Sequence, residues 1–118
     1  MSGTSMDGVD LSLVKTNGQK IKRYKKNFFL NYKQSTKDAL KQITSETNFN
    51  KTALNYFDKI ITDEYIRALQ ASNFVNLCDV IGFHGQTLLH IPKKISIQVG
   101  NPKIIAKKFK KKIVYNFR

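Results

Sequence analysis

The order of apolar and polar residues predicts a β-hairpin near the beginning of the chain. Over residues 9–16, apolar and polar side chains occupy alternate positions, which is typical of a strand with one buried face. Asn17-Gly18 follows, and this dipeptide is the strongest short-range signal for a tight hairpin turn. Residues 20–32 then predict the returning strand, with apolar and aromatic side chains spaced along it.

Two helices are predicted after the hairpin. Ser35 or Thr36 is a suitable N-cap for a short helix that reaches Ile43, because a hydroxyl oxygen can accept a hydrogen bond from an amide of the first turn. Asn50 is a suitable N-cap for a longer helix that ends at about Asn76. Its apolar residues recur every three or four positions, so we expect one face to pack in the core.

The last part of the chain predicts two strands, a helix and a final strand. The strands are expected at 79–84 and 95–99, the helix from Asn101-Pro102 to about residue 109, and the final strand at 113–117. The whole order predicts a mixed α/β fold, with an antiparallel hairpin first and parallel crossovers later. The chain begins without a strand and stops immediately after one, so we expect a fragment.

Composition places the chain among single-domain globular proteins. It has 118 residues, of which 41% are hydrophobic. We see neither a membrane-spanning apolar run nor a signal peptide, and the expected location is the cytoplasm. The single cysteine, Cys78, cannot form an internal disulfide, and its apolar neighbours favour a small buried side chain.

The chain carries a formal net charge of +13, and 18 of its 21 basic residues are lysines. They are spread along the sequence, with one cluster at 107–112, and we interpret most of them as a solvated surface. An alternative function is a small nucleic-acid-binding module, in which the lysines and the aromatic residues Tyr24, Phe28, Phe29 and Tyr32 would bind phosphates and stack on bases. The small number of arginines argues against this function, because sequence-specific readers depend on arginine for bidentate base contacts.

The segment Ser2–Asp10 has the composition of a phosphate-binding loop. Glycines allow a tight turn whose amides can face an anion, and the hydroxyl residues between them add donors. Asp7 and Asp10 could hold Mg²⁺ through water molecules. The segment is not a Walker loop, since no Gly-Lys-Ser/Thr follows, and a plain polar hairpin would contain the same residue types.

A second polar segment is Gly82-Phe83-His84-Gly85-Gln86-Thr87, with His90 and Pro92 behind it. An imidazole, an amide and a hydroxyl in a glycine-flanked turn suit a polyhydroxylated ligand. The alternative is a structural turn with a hydrogen-bonded histidine. A zinc site at the histidines is disfavoured, because no cysteine or carboxylate lies at a suitable spacing.

Four segments together resemble the anhydro-N-acetylmuramic acid kinase family. Residues 1–10 look like the family's N-terminal loop almost residue for residue, and 82–87 with His90 and Pro92 are similar to its second signature. Residues 96–101 resemble the segment that precedes a helix in that family. Residues 113–118 resemble a strand ending that usually reads Asp-Phe-Arg, with Asn116 here in place of the aspartate.

The resemblance implies an actin-like sugar kinase with two α/β lobes and ATP in the cleft between them. Members phosphorylate 1,6-anhydro-N-acetylmuramic acid at O6 and open the anhydro bridge with water, giving N-acetylmuramic acid 6-phosphate in peptidoglycan recycling. Residues 1–118 would form part of the N-terminal lobe, with a phosphate loop at 2–10 and a sugar-side loop at 82–92. The residues implied to contact the ATP phosphates and Mg²⁺ are Gly3, Thr4, Ser5, Met6, Asp7, Gly8, Val9 and Asp10.

The same resemblance implies that His84, Gln86, Thr87 and Arg118 lie on the sugar side, with Arg118 facing the substrate carboxylate. The general-base aspartate and the second lobe are expected beyond Arg118, so we expect no useful kinase activity from this chain alone. Whether the parent enzyme is a homodimer stays open. A third interpretation is a truncated product that folds poorly and is marginally soluble, because half of a two-lobed enzyme exposes an apolar face.

Overall fold

The computed structural model describes residues 5–46 and 49–117, with only the backbone described at 23–25. Within these residues the chain forms six strands and three α-helices. Their bounds are β1 Gly8–Thr16, β2 Ile21–Asn31, α1 Gln34–Glu46, α2 Lys51–Ser72, β3 Val80–Gly82, β4 Gln86–Ile91, β5 Ile95–Val99, α3 Pro102–Phe109 and β6 Lys112–Val114. The mixed α/β class predicted from the sequence is confirmed.

Strands β1 and β2 form the predicted antiparallel hairpin. The side-chain oxygen of Asn17 accepts hydrogen bonds from the amides of Gln19 and Lys20, at 3.1 and 2.8 Å. Gly18 adopts a φ of +88°, which glycine reaches without steric cost. The turn signal at Asn17-Gly18 therefore gave the correct hairpin.

Helix α1 begins at Gln34, so the prediction that Ser35 or Thr36 caps it was wrong. The capping group comes from another helix: the Glu64 carboxylate of α2 accepts a hydrogen bond from the amide of Lys33, at 2.9 Å. Thr36 is buried and donates its hydroxyl proton to the same carboxylate, at 2.8 Å. This distant carboxylate satisfies an amide that a local side chain would otherwise bind.

Helix α2 is capped by Asn50 as predicted, with the side-chain oxygen 2.8 Å from the amide of Ala53. It ends at Ser72 rather than at about Asn76. Asn73 adopts the left-handed conformation, with a φ of +59°, which terminates the helix, and Phe74–Asn76 form a short 3-10 helix. The apolar face of α2 supplies a large part of the core.

The later strands form two further small sheets. β3 and β6 pair in parallel, which confirms the predicted parallel crossover, while β4 and β5 form an antiparallel hairpin. Strand β4 was not predicted, because residues 86–87 are polar in sequence although they are buried. The final strand ends at Val114 instead of Phe117, since Asn116 takes a left-handed φ of +68°.

Helix α3 starts as predicted, with the Asn101 side chain accepting hydrogen bonds from the amides of Lys103 and Ile104 and with proline in the first turn.

Cys78 is partly buried, and burial raises the pKa of its thiol. Among the described residues, no helix is both long enough and apolar enough to span a membrane.

Candidate functional site

The described part of the phosphate-loop segment is a turn that leads into β1. The Ser5 hydroxyl donates to the Asp7 carboxylate at 2.7 Å, and Met6 between them has a left-handed φ of +54°. Residues Gly3 and Thr4 lie outside the described residues. The turn is exposed at Ser5 and Asp7, while Gly8 and Val9 are buried.

Gly8 is required by the packing of the hairpin. A Cβ atom at this position would collide with the carbonyl oxygen of Leu30 and with the ring of Phe29. Val9 is only 1% exposed and belongs to the core. Any contact that these two residues make with a ligand would therefore come from the backbone, not from a side chain.

The two carboxylates predicted to hold Mg²⁺ are both exposed, and they flank the buried pair Gly8 and Val9. Asp7 accepts the Ser5 hydrogen bond, and Asp10 lies on β1 opposite Phe29. Over residues 5–46 and 49–117, no group of three or more His, Cys, Asp or Glu residues forms a metal site. Exposed carboxylates suit an ion that keeps several of its own water ligands.

In the sugar-side loop, Gln86 and Thr87 are buried, at 0% and 2% exposure. The Gln86 amide donates to the Thr87 carbonyl at 2.9 Å, and its side-chain oxygen accepts from the Tyr32 hydroxyl at 3.0 Å. These bonds fix the first residues of β4 from inside the protein. Direct contact of either side chain with a sugar stays a prediction, and the geometry favours a supporting role.

Tyr32 connects the two candidate loops. Its amide donates to the Asp7 carbonyl at 2.9 Å, and its hydroxyl donates to Gln86 at the beginning of β4. The side chain is only 3% exposed. The sequence had suggested Tyr32 as a stacking residue for nucleic acid, but a buried ring cannot stack on bases.

We expect the substitution Tyr32→Phe to lower the free energy of unfolding by about 1–2 kcal/mol, since it removes a buried hydrogen bond and leaves the ring in place. Urea unfolding monitored by circular dichroism measures this change. Tyr56→Phe is the matched control, because Tyr56 is 55% exposed, and its effect should stay within about 0.5 kcal/mol. Equal effects at the two positions would contradict the assigned role of Tyr32.

His84 lies beside a cavity of about 190 Å³ that also touches β5 and the segment after β6. The side chain is partly buried. Gly85, Gln98, Gly100, Tyr115 and Asn116 also line it. Arg118, which the sequence placed on the same side, lies outside the described residues.

Helix α2 fixes two walls of this cavity through side chains on one face. The Tyr65 hydroxyl donates to the Gly85 carbonyl at 3.0 Å, and the Asp58 carboxylate accepts from the Gly100 amide at 2.8 Å. Thr62 lies between them and accepts from the Asn101 amide at 2.7 Å. Positions 58, 62 and 65 are spaced by four and three residues, so they lie on the same side of the helix.

Sequence reasoning missed the role of Tyr32 in connecting the two loops, and it missed the three polar residues on α2. Asp58, Thr62 and Tyr65 recur at helical spacing among apolar neighbours, and that polar recurrence on a buried face is the signal that could have identified them.

Of the aromatic residues suggested for nucleic acid, Tyr24 lies outside the described side chains and Phe28 packs edge-on against Phe74. Phe29 is 44% exposed. Phe28 and Phe29 are consecutive residues of β2, so their side chains lie on opposite faces of the strand.

Known proteins match this sequence over its whole length. A family model described as anhydro-N-acetylmuramic acid kinase matches residues 1–118. The anhydro-N-acetylmuramic acid kinase of Rhodopseudomonas palustris (strain ATCC BAA-98 / CGA009) is 32% identical over 130 residues, which cover 100% of this chain and 35% of the relative. The protein of the same name from Pelagibacter ubique (strain HTCC1062) is 34% identical over 129 residues, covering 100% and 34%. The chain thus spans about a third of the length of these relatives.

Proposed function

The chain belongs to the anhydro-N-acetylmuramic acid kinase family, and from this membership we propose that it forms part of the N-terminal lobe of an ATP-dependent kinase of 1,6-anhydro-N-acetylmuramic acid. The observation that carries the proposal is the match of the family model to all of residues 1–118. The product would be N-acetylmuramic acid 6-phosphate, formed by phosphorylation at O6 together with opening of the anhydro bridge by water.

We propose that the backbone and hydroxyl groups of residues 3–10 hold the phosphates of ATP. The exposed turn at Ser5 and Asp7 directly precedes the buried, paired residues Gly8 and Val9, and this position supports the role, because amides held beside a hairpin lose little freedom when they bind an anion. Asp7 and Asp10 would hold Mg²⁺ through its water ligands. When bound, ATP would supply the phosphoryl group, and Mg²⁺ would offset the charge on its phosphates.

We propose that the sugar lies on the side of His84 and Arg118. The imidazole of His84 borders the cavity and can form a hydrogen bond with a sugar hydroxyl. Gln86 and Thr87 would hold the loop in place from the interior, and Arg118 would pair with the substrate carboxylate. The net charge of +13 supports the binding of two anionic ligands through long-range attraction.

A chimera tests the proposal. Residues 1–118 would replace the matched region of the Rhodopseudomonas palustris relative, and the purified protein would be incubated with the anhydro sugar and Mg·ATP. We expect ATP-dependent formation of the 6-phosphosugar. We expect the chimera with Asp10→Asn to lose at least about tenfold in rate, because a carboxylate near the phosphates is removed.

The control is the chimera with Asp38→Asn, which changes an exposed carboxylate on α1 and should keep the full rate. A chimera that unfolds cooperatively but produces no phosphosugar would contradict the proposed function. Equal rates in the two variants would contradict only the role of Asp10.

A further inference from the structure

One side chain of α2, Tyr65, contacts both chain neighbours of His84. The Tyr65 hydroxyl donates a hydrogen bond to the carbonyl oxygen of Gly85, and the two oxygens lie 3.0 Å apart. On the other side of His84, the Tyr65 ring packs edge-on against the Phe83 ring, with 4.8 Å between the ring centroids and 61° between the planes. Both aromatic side chains are buried, at 3% and 5% exposure. Because buried side chains are closely packed, these two contacts restrict how far the backbone of His84 can move.

The imidazole of His84 shares the Gly85 carbonyl with Tyr65. Its Nδ1 lies 3.1 Å from the carbonyl oxygen, which has two lone pairs and can accept from both side chains. The backbone at Gly85 is closely packed as well, since a Cβ added there would lie 2.6 Å from the carbonyl oxygen of Val99 on β5. The oxygen that Tyr65 holds is therefore a fixed contact for the imidazole as well as for the loop.

We propose that Tyr65 is a positioning residue for His84, which holds Phe83 and the Gly85 carbonyl and so sets where the imidazole lies at the cavity. Tyr65 is buried, whereas Phe83, His84 and Gly85 line the cavity, so its influence on a ligand passes through these three residues. The consequence for the sugar rests on the proposed function, but the hold of Tyr65 on His84 does not.

Tyr65→Phe tests the hydroxyl contact in the 118-residue chain, because it keeps the ring against Phe83 and releases the Gly85 carbonyl. The carbon-bound protons of both histidine rings are observed by NMR at about pH 8.5, roughly two units above the reference histidine pKa. His90 is exposed and is the internal reference for an imidazole in water. We expect the His84 signals to move toward those of His90, since a ring that loses a fixed contact averages over several positions. The His90 signals should not change.

Thr36→Val is the matched control. It also removes a buried hydroxyl that donates a hydrogen bond, but this hydroxyl lies on α1 and its acceptor is Glu64. Urea unfolding measures how much stability each variant loses. The control should leave the His84 signals as they are in the wild type. Unchanged His84 signals in Tyr65→Phe would overturn the proposal, and so would equal shifts in both variants, which would assign the shifts to a general loss of stability.

The same two variants, made in the chimera with the Rhodopseudomonas palustris relative, separate an effect on the sugar from an effect on ATP. We expect Tyr65→Phe to raise the KM for 1,6-anhydro-N-acetylmuramic acid at least about fivefold, and to leave the KM for Mg·ATP within about twofold. Thr36→Val should change neither value. A rise of both KM values by the same factor would contradict a role that acts through His84.

Failure of this proposal and failure of the proposed function give different results. If the folded chimera forms no phosphosugar while Tyr65→Phe shifts the His84 signals of the 118-residue chain, the kinase assignment fails and the positioning role stands. If the chimera is active but Tyr65→Phe changes neither the His84 signals nor the KM for the sugar, the positioning role fails and the kinase assignment stands. A shift of the His84 signals with an unchanged KM for the sugar would overturn the placement of His84 on the sugar side.

Discussion

Replacing Glu64 by glutamine should lower the free energy of unfolding at pH 7 by about 2–3 kcal/mol. The Glu64 side chain is 3% exposed and accepts hydrogen bonds from the amide of Lys33, the hydroxyl of Thr36 and the guanidinium of Arg67. Glutamine would keep one acceptor oxygen but would turn an NH₂ group toward donors and remove the charge that Arg67 faces. The Arg67 side chain is 35% exposed, so water can partly solvate it, and we therefore expect an effect below that of breaking a fully buried ion pair.

The effect of Glu64→Gln should depend on pH in a defined direction. Burial alone would raise the pKa of Glu64, but the hydrogen bonds from Lys33, Arg67 and Thr36 together lower it below the reference value of 4.5. A carboxyl group with a lowered pKa stabilises the fold fully above its unfolded-state pKa, and this stabilisation is lost as the pH falls through the folded-state pKa. The difference between wild type and variant should therefore be largest at neutral pH and shrink below about pH 4.5.

Urea unfolding at a series of pH values measures both effects. Glu46→Gln is the matched control, because Glu46 is exposed at the end of α1 and accepts one surface hydrogen bond from Gln42. Its effect should stay within about 0.5 kcal/mol at every pH. A Glu64 variant whose deficit stays constant as the solution is acidified would show that the charge of the carboxylate is not the stabilising feature.

The elements predicted correctly from the sequence are those whose decisive contacts are local. Asn50 and Asn101 cap helices through amides two or three residues away, and Asn17 closes the hairpin turn in the same way. Such contacts are set by a few neighbouring residues, so residue type and spacing suffice to predict them. The alternation of apolar and polar residues along β1, and the recurrence of apolar residues every three or four positions along α2, could also be read from the sequence.

The elements that were missed depend on contacts between distant parts of the chain. Strand β4 begins with polar residues that look like a surface turn, yet Gln86 is buried because Tyr32, 54 positions earlier, donates to it. The start of α1 was misplaced because its amide partner, Glu64, lies 31 positions from Lys33. A single sequence contains no signal that pairs these residues before the fold is known.

The candidate site likewise contains residues that the sequence could point to and residues whose role depends on distant contacts. The glycine-rich loop and the 82–87 segment could be named as candidates from the sequence, because a tight turn requires particular residue types, and their roles stay predictions. The residues that fix these loops, such as Tyr32 and Tyr65, read in the sequence as ordinary aromatic positions on a strand end and a helix. Their role follows only from where their hydroxyl groups point, toward Gln86 and the Gly85 carbonyl.

Replacing Gly85 by alanine should lower the free energy of unfolding by about 3–4 kcal/mol, since two costs add at this position. Gly85 has a φ of +74°, where an alanine is strained, and its Cβ would lie 2.6 Å from the carbonyl oxygen of Val99. That carbonyl belongs to the backbone of β5, which pairs with β4 at this point. Relief of the overlap would therefore require one strand of the hairpin to move.

Gly18→Ala is the control that separates the two costs. Gly18 has a φ of +88°, but a Cβ there would have no atom within 4 Å. It should cost only about 1 kcal/mol, since the left-handed strain is partly offset by the lower entropy of the unfolded chain. Urea unfolding of the two variants measures the difference, which reports the contact with Val99. If both variants lost the same stability, the close approach of β5 to Gly85 would be wrong. The position of the Gly85 carbonyl, to which Tyr65 and His84 donate hydrogen bonds, would then be wrong as well.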